Sequence, residues 1–398
     1  MAEKNRFYII LSLGILSAVG PFSIDMYLPA FPVMADNLNT TVPHIQLSLS
    51  SYFIGISLGQ LIYGPLIDRF GRLIPLFTGL FIYLLTCIAC AFANTADTLI
   101  VMRFFQALGS CAGMVISRAM VRDIFPVSEN ARIFSLLMLV IGVSPILAPT
   151  LGGYMSSGLG WRSIFIFLIL LAVFTIYMCY KYLPESKPAD KTMSLKPKAV
   201  LEDFWFAFSE PRFIYYALAG GIASAAMFAY IAGSTFVFIE LFGFTEKQYG
   251  WLFALNAIGL ISASQLNSKL LKKYPIGMII KNSSRVQLTT VLLLAILSAA
   301  QLLNVYSTLI LIWIFMSALG FFSPNTSALS MAPFDKKAGI ASALLGCFQM
   351  LFSALASFAV SFLHDGTAFP MIGVMAFCII CSFSLVYIGQ RQAKKYHA

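Results

Sequence analysis

Charged side chains are scarce in this sequence. Asp, Glu, Lys and Arg make up 11% of its 398 residues, against about 25% in an ordinary soluble domain. Histidine is scarcer still. The three present (His44, His364 and His397) stand at the ends of apolar stretches, so no set of zinc ligands can be assembled. Seven cysteines (Cys87, Cys90, Cys111, Cys179, Cys347, Cys378 and Cys381) all fall inside apolar stretches. Cys87/Cys90 and Cys378/Cys381 have C-x-x-C spacing but no further ligands around them, so they read as small buried hydrophobes. No metal or cofactor is expected. A long soluble stretch is also lacking, since the longest polar segment, Pro184 to Arg212, is too short for a domain. These absences exclude a soluble multidomain enzyme. They also exclude a membrane-embedded one, which would need reactive histidines and carboxylates clustered at a bilayer surface.

Apolar residues, by contrast, reach 59% of the chain. A bilayer-spanning helix needs roughly 20 of them in a row. Segments of that kind lie at 7–29, 44–67, 73–93, 98–121, 133–156, 163–183, 213–240, 248–271, 279–303, 306–330, 338–363 and 368–389. The expected fold is therefore an all-α polytopic membrane protein with twelve transmembrane helices in two six-helix halves. The expected domains are an N-terminal bundle over 1–183, a cytoplasmic linker over 184–212 and a C-terminal bundle over 213–398. Such paired halves match the architecture in which parallel repeats enclose a substrate site at the bilayer midplane.

The net charge of +10 does not indicate nucleic acid, because its basic residues are scattered in small groups between apolar runs. Their distribution instead orients the chain. With the N-terminus inside, Lys4, Arg6, Arg69, Arg72, Arg122, Arg132, Lys187, Lys191, Lys196, Lys198, Lys269, Lys272, Lys273, Lys336, Lys337, Arg391, Lys394 and Lys395 collect on the inner side. Only Arg162 and Lys247 fall at outer loops. The positive-inside bias places both termini in the cytoplasm.

Most acidic residues can reach water; Asp25, inside the first span, cannot, and among the basic residues Arg103 in the fourth is the comparable case. Ionisable groups at such depth are costly and mark function by default. Counting along each helix puts both in the outer half of the bilayer, so an ion pair between them is expected. Asp25 shares a helix face with Pro21, Ser17 and Gly14, and Arg103 with Gln106, Ala107, Ser110, Met114 and Ser117. Those stripes read as cavity or contact surface. A carboxylate out of water is disfavoured as an anion and a neighbouring guanidinium favours it, so a change of packing would bind or release a proton. A fixed structural ion pair is the alternative reading for Asp25, and for Arg103 a guanidinium that ties helix carbonyls together.

Several stretches resemble a known family. Gly64-Pro-Leu-Ile-Asp68-Arg69-Phe-Gly71-Arg72 resembles the loop signature of the major facilitator superfamily, and Arg103-Phe-Phe-Gln106-Ala-Leu-Gly109 its fourth-span motif. Pro145-Ile-Leu-Ala-Pro149-Thr-Leu-Gly152-Gly153 resembles the fifth-span motif of proton-coupled antiporters. Asp25-Met-Tyr-Leu-Pro-Ala-Phe-Pro32, Ser117–Asp123, Phe228–Ser234 with Phe253–Gly259, and Pro324-Asn325 with Ala332-Pro333-Phe334 are similar to the bicyclomycin/chloramphenicol-resistance (Bcr/CflA) drug-efflux subfamily.

The resemblance implies a proton-coupled antiporter of the bacterial inner membrane, able to act as a monomer, that exports small amphipathic drugs of phenicol or bicyclomycin type. Its partners would be the substrate, protons and the lipid bilayer. Asp25 and Arg103 fall on proton-coupling positions. Asp68, Arg69 and Arg72, with Arg122, fall on a cytoplasmic charge cluster that acts as a conformational switch, and Pro145, Pro149, Gly152 and Gly153 on the helix that packs against the other half. Tyr27, Gln106, Tyr230, Phe236, Asn256 and Asn325 are candidate pocket walls. The chain departs from the pattern at Ala107 and Ala148, where general motifs carry Gly. The second half's counterpart loop, Lys269-Leu-Leu-Lys-Lys-Tyr-Pro275, has lost the Asp and the glycines. Ser17 stands where some multidrug relatives carry a second acid, which favours neutral or singly charged substrates. A same-fold carrier of a metabolite, amino acid or siderophore, with the opposite transport direction included, is the competing reading.

Overall fold

The computed structural model describes residues 3–190, 205–206, 208–334 and 338–395. Of the expected inner-face lysines, Lys191, Lys196, Lys198, Lys336 and Lys337 lie outside the described residues, as does 191–204 of the expected linker. Among the described residues there is no strand.

In the first part of the chain, α1 (Glu3–Asp25) is followed by a 3₁₀ turn (Leu28–Ala30) and the short α2 (Phe31–Asn37). Then come α3 (Val42–Phe70), α4 (Leu73–Ala91), α5 (Ala96–Ile124), α6 (Val127–Leu159) and α7 (Arg162–Tyr182). The second part holds α8 (Pro211–Thr235), continued by a π-helical segment (Phe236–Leu241), and α9 (Glu246–Leu270). After these follow α10 (Ile276–Ala299), α11 (Val305–Met331), α12 (Ala338–Phe362) and α13 (Phe369–Lys395). With the short α2 counted into the first span, these are the twelve transmembrane helices that the apolar periods predict.

Ten of the spans are apolar enough along their length to cross a membrane on composition alone. The two others, α9 and α10, carry Asn256, Gln265, Asn267 and Lys269, and Lys281, Asn282, Arg285 and Gln287, respectively. Their 25 and 24 residues still give about 36 Å at 1.5 Å per residue, enough to cross a hydrocarbon core of about 30 Å.

The chain forms two compact units. The first comprises Met1–Thr41, Ser51–Leu201 and Glu246–Trp251; the second comprises Val42–Ser50, Glu202–Thr245 and Leu252–Ala398. Two helices are thus shared: α3 contributes its opening turns to the second unit and α9 contributes its own to the first. Within the first unit α1 packs on α5, α6 and α7, while α4 packs on α5 and α7. Ser17 Oγ donates to Ser117 Oγ at 3.0 Å, which joins the two small-residue stripes read from the sequence. In the second unit α8 is central, packed on α11, α12 and α13, with α10 against α11 and α13. Buried Phe213, Ala217, Phe334, Ala341 and Leu344 form one core cluster there, Phe213 meeting Phe334 edge to face at 5.3 Å.

Candidate transport site

Proline places Asp25 at a break. An unbroken helix would have the amide of residue 29 bond the carbonyl of residue 25. Residue 29 is proline, which has no N–H and whose ring clashes with that carbonyl. Accordingly α1 ends at Asp25, and the chain passes through the 3₁₀ turn into α2, again with a proline, Pro32, in its first turn. The first span is therefore longer than the expected 7–29 and interrupted, with the candidate coupling carboxylate as the last residue before the interruption. Asp25 is 5% exposed. Among the described residues its carboxylate makes no ion pair and no hydrogen bond.

Arg103 does not supply the expected partner. Its guanidinium donates from Nη2 to the Ser23 carbonyl at 2.7 Å and from Nη1 to Gln106 Oε1 at 2.5 Å. The group is wholly buried and lies between the rings of Tyr27 and Tyr52, 4.2 and 4.1 Å from their centroids. A delocalised, weakly hydrated cation suits that sandwich better than an ammonium would. The arrangement continues outward. Gln106 Nε2 donates to Cys87 Sγ at 2.9 Å, Tyr52 and Ser110 share a hydrogen bond of 2.7 Å, and Ser23 and Tyr83 share another of 2.7 Å. Counting residues from the helix ends gave Asp25 and Arg103 a common depth, but side-chain direction was not readable from depth. Arg103 reaches α1 at Ser23, two residues before Asp25, and holds its backbone instead of its carboxylate.

A second charged cluster surrounds the junction of α3 and α4. Gly71 links the helices at φ +81°, a left-handed conformation that favours glycine. Arg72, 4% exposed, donates to Asp123 Oδ2 at 2.8 Å, to Asp68 Oδ1 at 3.1 Å and to the Ile67 carbonyl at 2.8 Å. Burial works against the Arg72 charge, but the hydrogen bonds and attraction from Asp123 and Asp68 outweigh it and raise its pKa. Lys187 also reaches Asp68, at 3.1 Å. Glu185 accepts from the amides of Arg72 and Leu73 at 2.7 and 3.0 Å, which satisfies open N–H groups at the start of α4. Arg69 lies in the last turn of α3. Arg122 is exposed, and among the described residues it joins none of these pairs; its neighbour Asp123 is the residue of α5 that pairs with Arg72. Asp123, Glu185 and Lys187 were missed as members of the cluster, and the only sequence signal for the last two was a charged stretch directly after α7.

Pro145 and Pro149 both lie inside α6. Just beyond them, a Cβ on Gly152 would sit 1.7 Å from the Met26 carbonyl oxygen, and one on Gly153 would sit 2.6 Å from that of Glu246. Gly152 thus lets the α6 backbone touch the chain at the residue that follows Asp25. In the second unit, Asn256 Nδ2 donates to the Tyr230 hydroxyl at 2.9 Å, and Asn256 Oδ1 is buried without a hydrogen-bond partner. Asn325 is otherwise occupied: it exchanges hydrogen bonds with Asn267 at 2.8 and 3.2 Å and donates to the Phe321 carbonyl. Phe236 packs edge to face on His364 at 4.4 Å. In the first unit Tyr27 and Gln106 belong to the Arg103 lattice.

The sequence profile of the Major Facilitator Superfamily matches residues 13–357. The chain belongs to that superfamily. Its relatives include an uncharacterised MFS-type transporter, YdgK, of Bacillus subtilis, 32% identical over 97% of this chain and 96% of the relative. A bicyclomycin resistance protein homologue of Haemophilus influenzae is 28% identical over 97% and 96%. A chloramphenicol resistance protein of Pseudomonas aeruginosa is 27% identical over 95% and 90%. Among solved structures, a bacterial homologue of the human lysosomal transporter Spinster, in an inward-facing and occupied conformation, superposes with a TM-score of 0.72. It covers 98% of both chains at 13% identity, so the likeness speaks for the fold. As a major facilitator the protein is a multi-pass membrane transporter and not an enzyme.

Proposed function

We propose that this major facilitator is a proton-coupled antiporter that exports small amphipathic drugs, phenicol- or bicyclomycin-like, across the inner membrane of a bacterium by alternating access. The observation that carries the reading is Asp25: a carboxylate 5% exposed, at a helix break, with neither cation nor donor against it among the described residues. An ion in that setting is far more costly than a neutral acid. Any rearrangement that opens the site to water or brings a donor to it changes the balance and moves a proton. The drug-resistance names of the relatives support the substrate class.

In this reading Asp25 takes the proton. Arg103 acts on it through the end of α1, by holding the Ser23 carbonyl, and Gly152 lets α6 press on the Met26 carbonyl from the other direction. Tyr230 and Asn256 are the polar wall residues with hydrogen-bonding capacity left for a substrate. The basic-residue bias supports a cytoplasmic side for both termini, and in this reading one protomer suffices for the cycle.

The test is proton movement in energised, everted membrane vesicles. Addition of a phenicol should alkalinise the lumen with the wild-type protein and leave it acid with Asp25→Asn. An equal response in both removes Asp25 from the mechanism. A wild-type protein silent to phenicols and to bicyclomycin refutes the substrate class.

A further inference from the structure

A cleft of about 530 Å³ runs between α9, α10 and α11 in the second unit. Its walls are mostly apolar, with Leu270, Met278, Val286, Trp313, Ile314 and Phe321 among them, and Asn282, Ser283 and Ser317 add polar atoms. The wall on α10 extends from Met278 to Val286, which at 1.5 Å per residue is about 12 Å. That is close to the depth of one leaflet, about 15 Å of hydrocarbon. The cleft begins at the turn between α9 and α10, where Leu270 and Tyr274 line it.

Positive charge surrounds that turn. Lys272 and Lys273 stand between Leu270 and Tyr274, with Lys269 one residue before. On α10, Lys281 and Arg285 each directly precede a lining residue, Asn282 and Val286. All five are exposed, and among the described residues none has an anionic partner. This is the loop that has lost the Asp of its first-half counterpart, so its cations have no internal carboxylate to hold. A second apolar cleft of about 650 Å³, between α8, α12 and α13, provides a contrast: the one charged residue among its lining is Asp365. Both clefts could accept hydrocarbon, but only the first joins it to a basic rim.

We propose that the α9–α10–α11 cleft binds an anionic phospholipid from the adjacent leaflet. Its phosphodiester sits among Lys272, Lys273 and Lys281, and one acyl chain lies along the cleft towards Trp313. Basic pockets between helices at a membrane face are suited to such head groups, and each nearby Lys or Arg adds to the attraction. The proposal needs only the membrane fold and is independent of proton coupling or drug export.

The experiment is native mass spectrometry of the delipidated full-length protein, offered equal amounts of phosphatidylglycerol and phosphatidylethanolamine. Phosphatidylglycerol adducts should dominate. The triple variant Lys272→Gln, Lys273→Gln, Lys281→Gln should lose the preference, by roughly fivefold for each charge removed, while the triple Lys→Arg variant should keep it. Equal retention of the two lipids by wild type, or an undiminished preference in the Gln variant, overturns the proposal. A measurement on folded wild type guards against a variant that fails to fold. In nanodiscs with a small fraction of brominated lipid, the Trp313 fluorescence, isolated by difference from Trp313→Phe, should be quenched more by brominated phosphatidylglycerol than by brominated phosphatidylethanolamine. Equal quenching refutes an acyl chain held in the cleft.

Discussion

Among the described residues no carboxylate meets the Arg103 cation, and its charge is offset by two tyrosine faces, a backbone carbonyl and a side-chain amide. Geometry of this kind depends on a planar guanidinium. Arg103→Lys keeps the charge but cannot fill the sandwich and reach both Ser23 and Gln106. It is expected to cost about 2 kcal/mol in stability, read as a lower unfolding midpoint of the purified protein, and to reduce transport along with it. A near-normal midpoint would show that the ring contacts contribute little. Asp25 and Arg103 were visible in the sequence because a charge amid apolar residues is rare and costly. Their partners were not, because a rotation of a few tens of degrees decides whether a side chain meets a carboxylate or a carbonyl.

At the scale of helices, two devices shape the site. Pro29 ends α1 at Asp25, and Gly152 admits the neighbouring backbone. The first could be read from spacing alone, since a proline interrupts the bond to the residue four before it. The second needed the tertiary structure, for a glycine in a transmembrane helix is as often a plain packing residue. Gly152→Ala and Gly158→Ala, both in α6, separate the cases. A Cβ at 152 would overlap the Met26 carbonyl, whereas one at 158 meets nothing within 4 Å. The first substitution should lower stability by about 1–3 kcal/mol or more and impair transport. The second should be neutral or stabilising by at most ~1 kcal/mol. Parallel thermal-melting and transport assays decide it, and equal effects would refute the close-contact role. The same scale explains why α9 and α10 fall below the hydropathy of the other spans: buried Asn256, Asn267 and Gln287 are carried on them as polar groups of the bundle interior.

On the scale of the whole molecule, the cluster around Arg72 ties together the ends of α3, α4 and α5 and the chain that leaves α7. The amide of Asp190 donates to the Asp68 carbonyl at 3.2 Å, so the first residues of the linker are hydrogen-bonded to the bundle. Arg72→Ala removes the cation that Asp68 and Asp123 share, leaving, among the described residues, Lys187 on Asp68 and only the Ser186 hydroxyl on Asp123, and should destabilise the protein by roughly 2–3 kcal/mol. Arg122→Ala, at an exposed position outside the cluster, should stay within about 0.5 kcal/mol of wild type. Chemical or thermal unfolding of the two variants side by side checks both, and a comparable loss for Arg122→Ala would show that residue to be part of the cluster.

Composition and periodicity by themselves determined the solvent, the number of spans and the two charges buried among them. Each of these follows from the cost of placing polar groups in hydrocarbon, which acts on a residue whatever its neighbours are. The motifs added the superfamily, because spacing within a loop or a helix is a local property of the chain. What only the tertiary structure decided were the pairings between distant segments: Arg103 with Ser23, Arg72 with Asp123, Gly152 with Met26, and Asn325 with Asn267. Such contacts depend on how each helix is rotated and tilted against its neighbours. The packing of many weak contacts sets that orientation, and no single residue in the sequence encodes it.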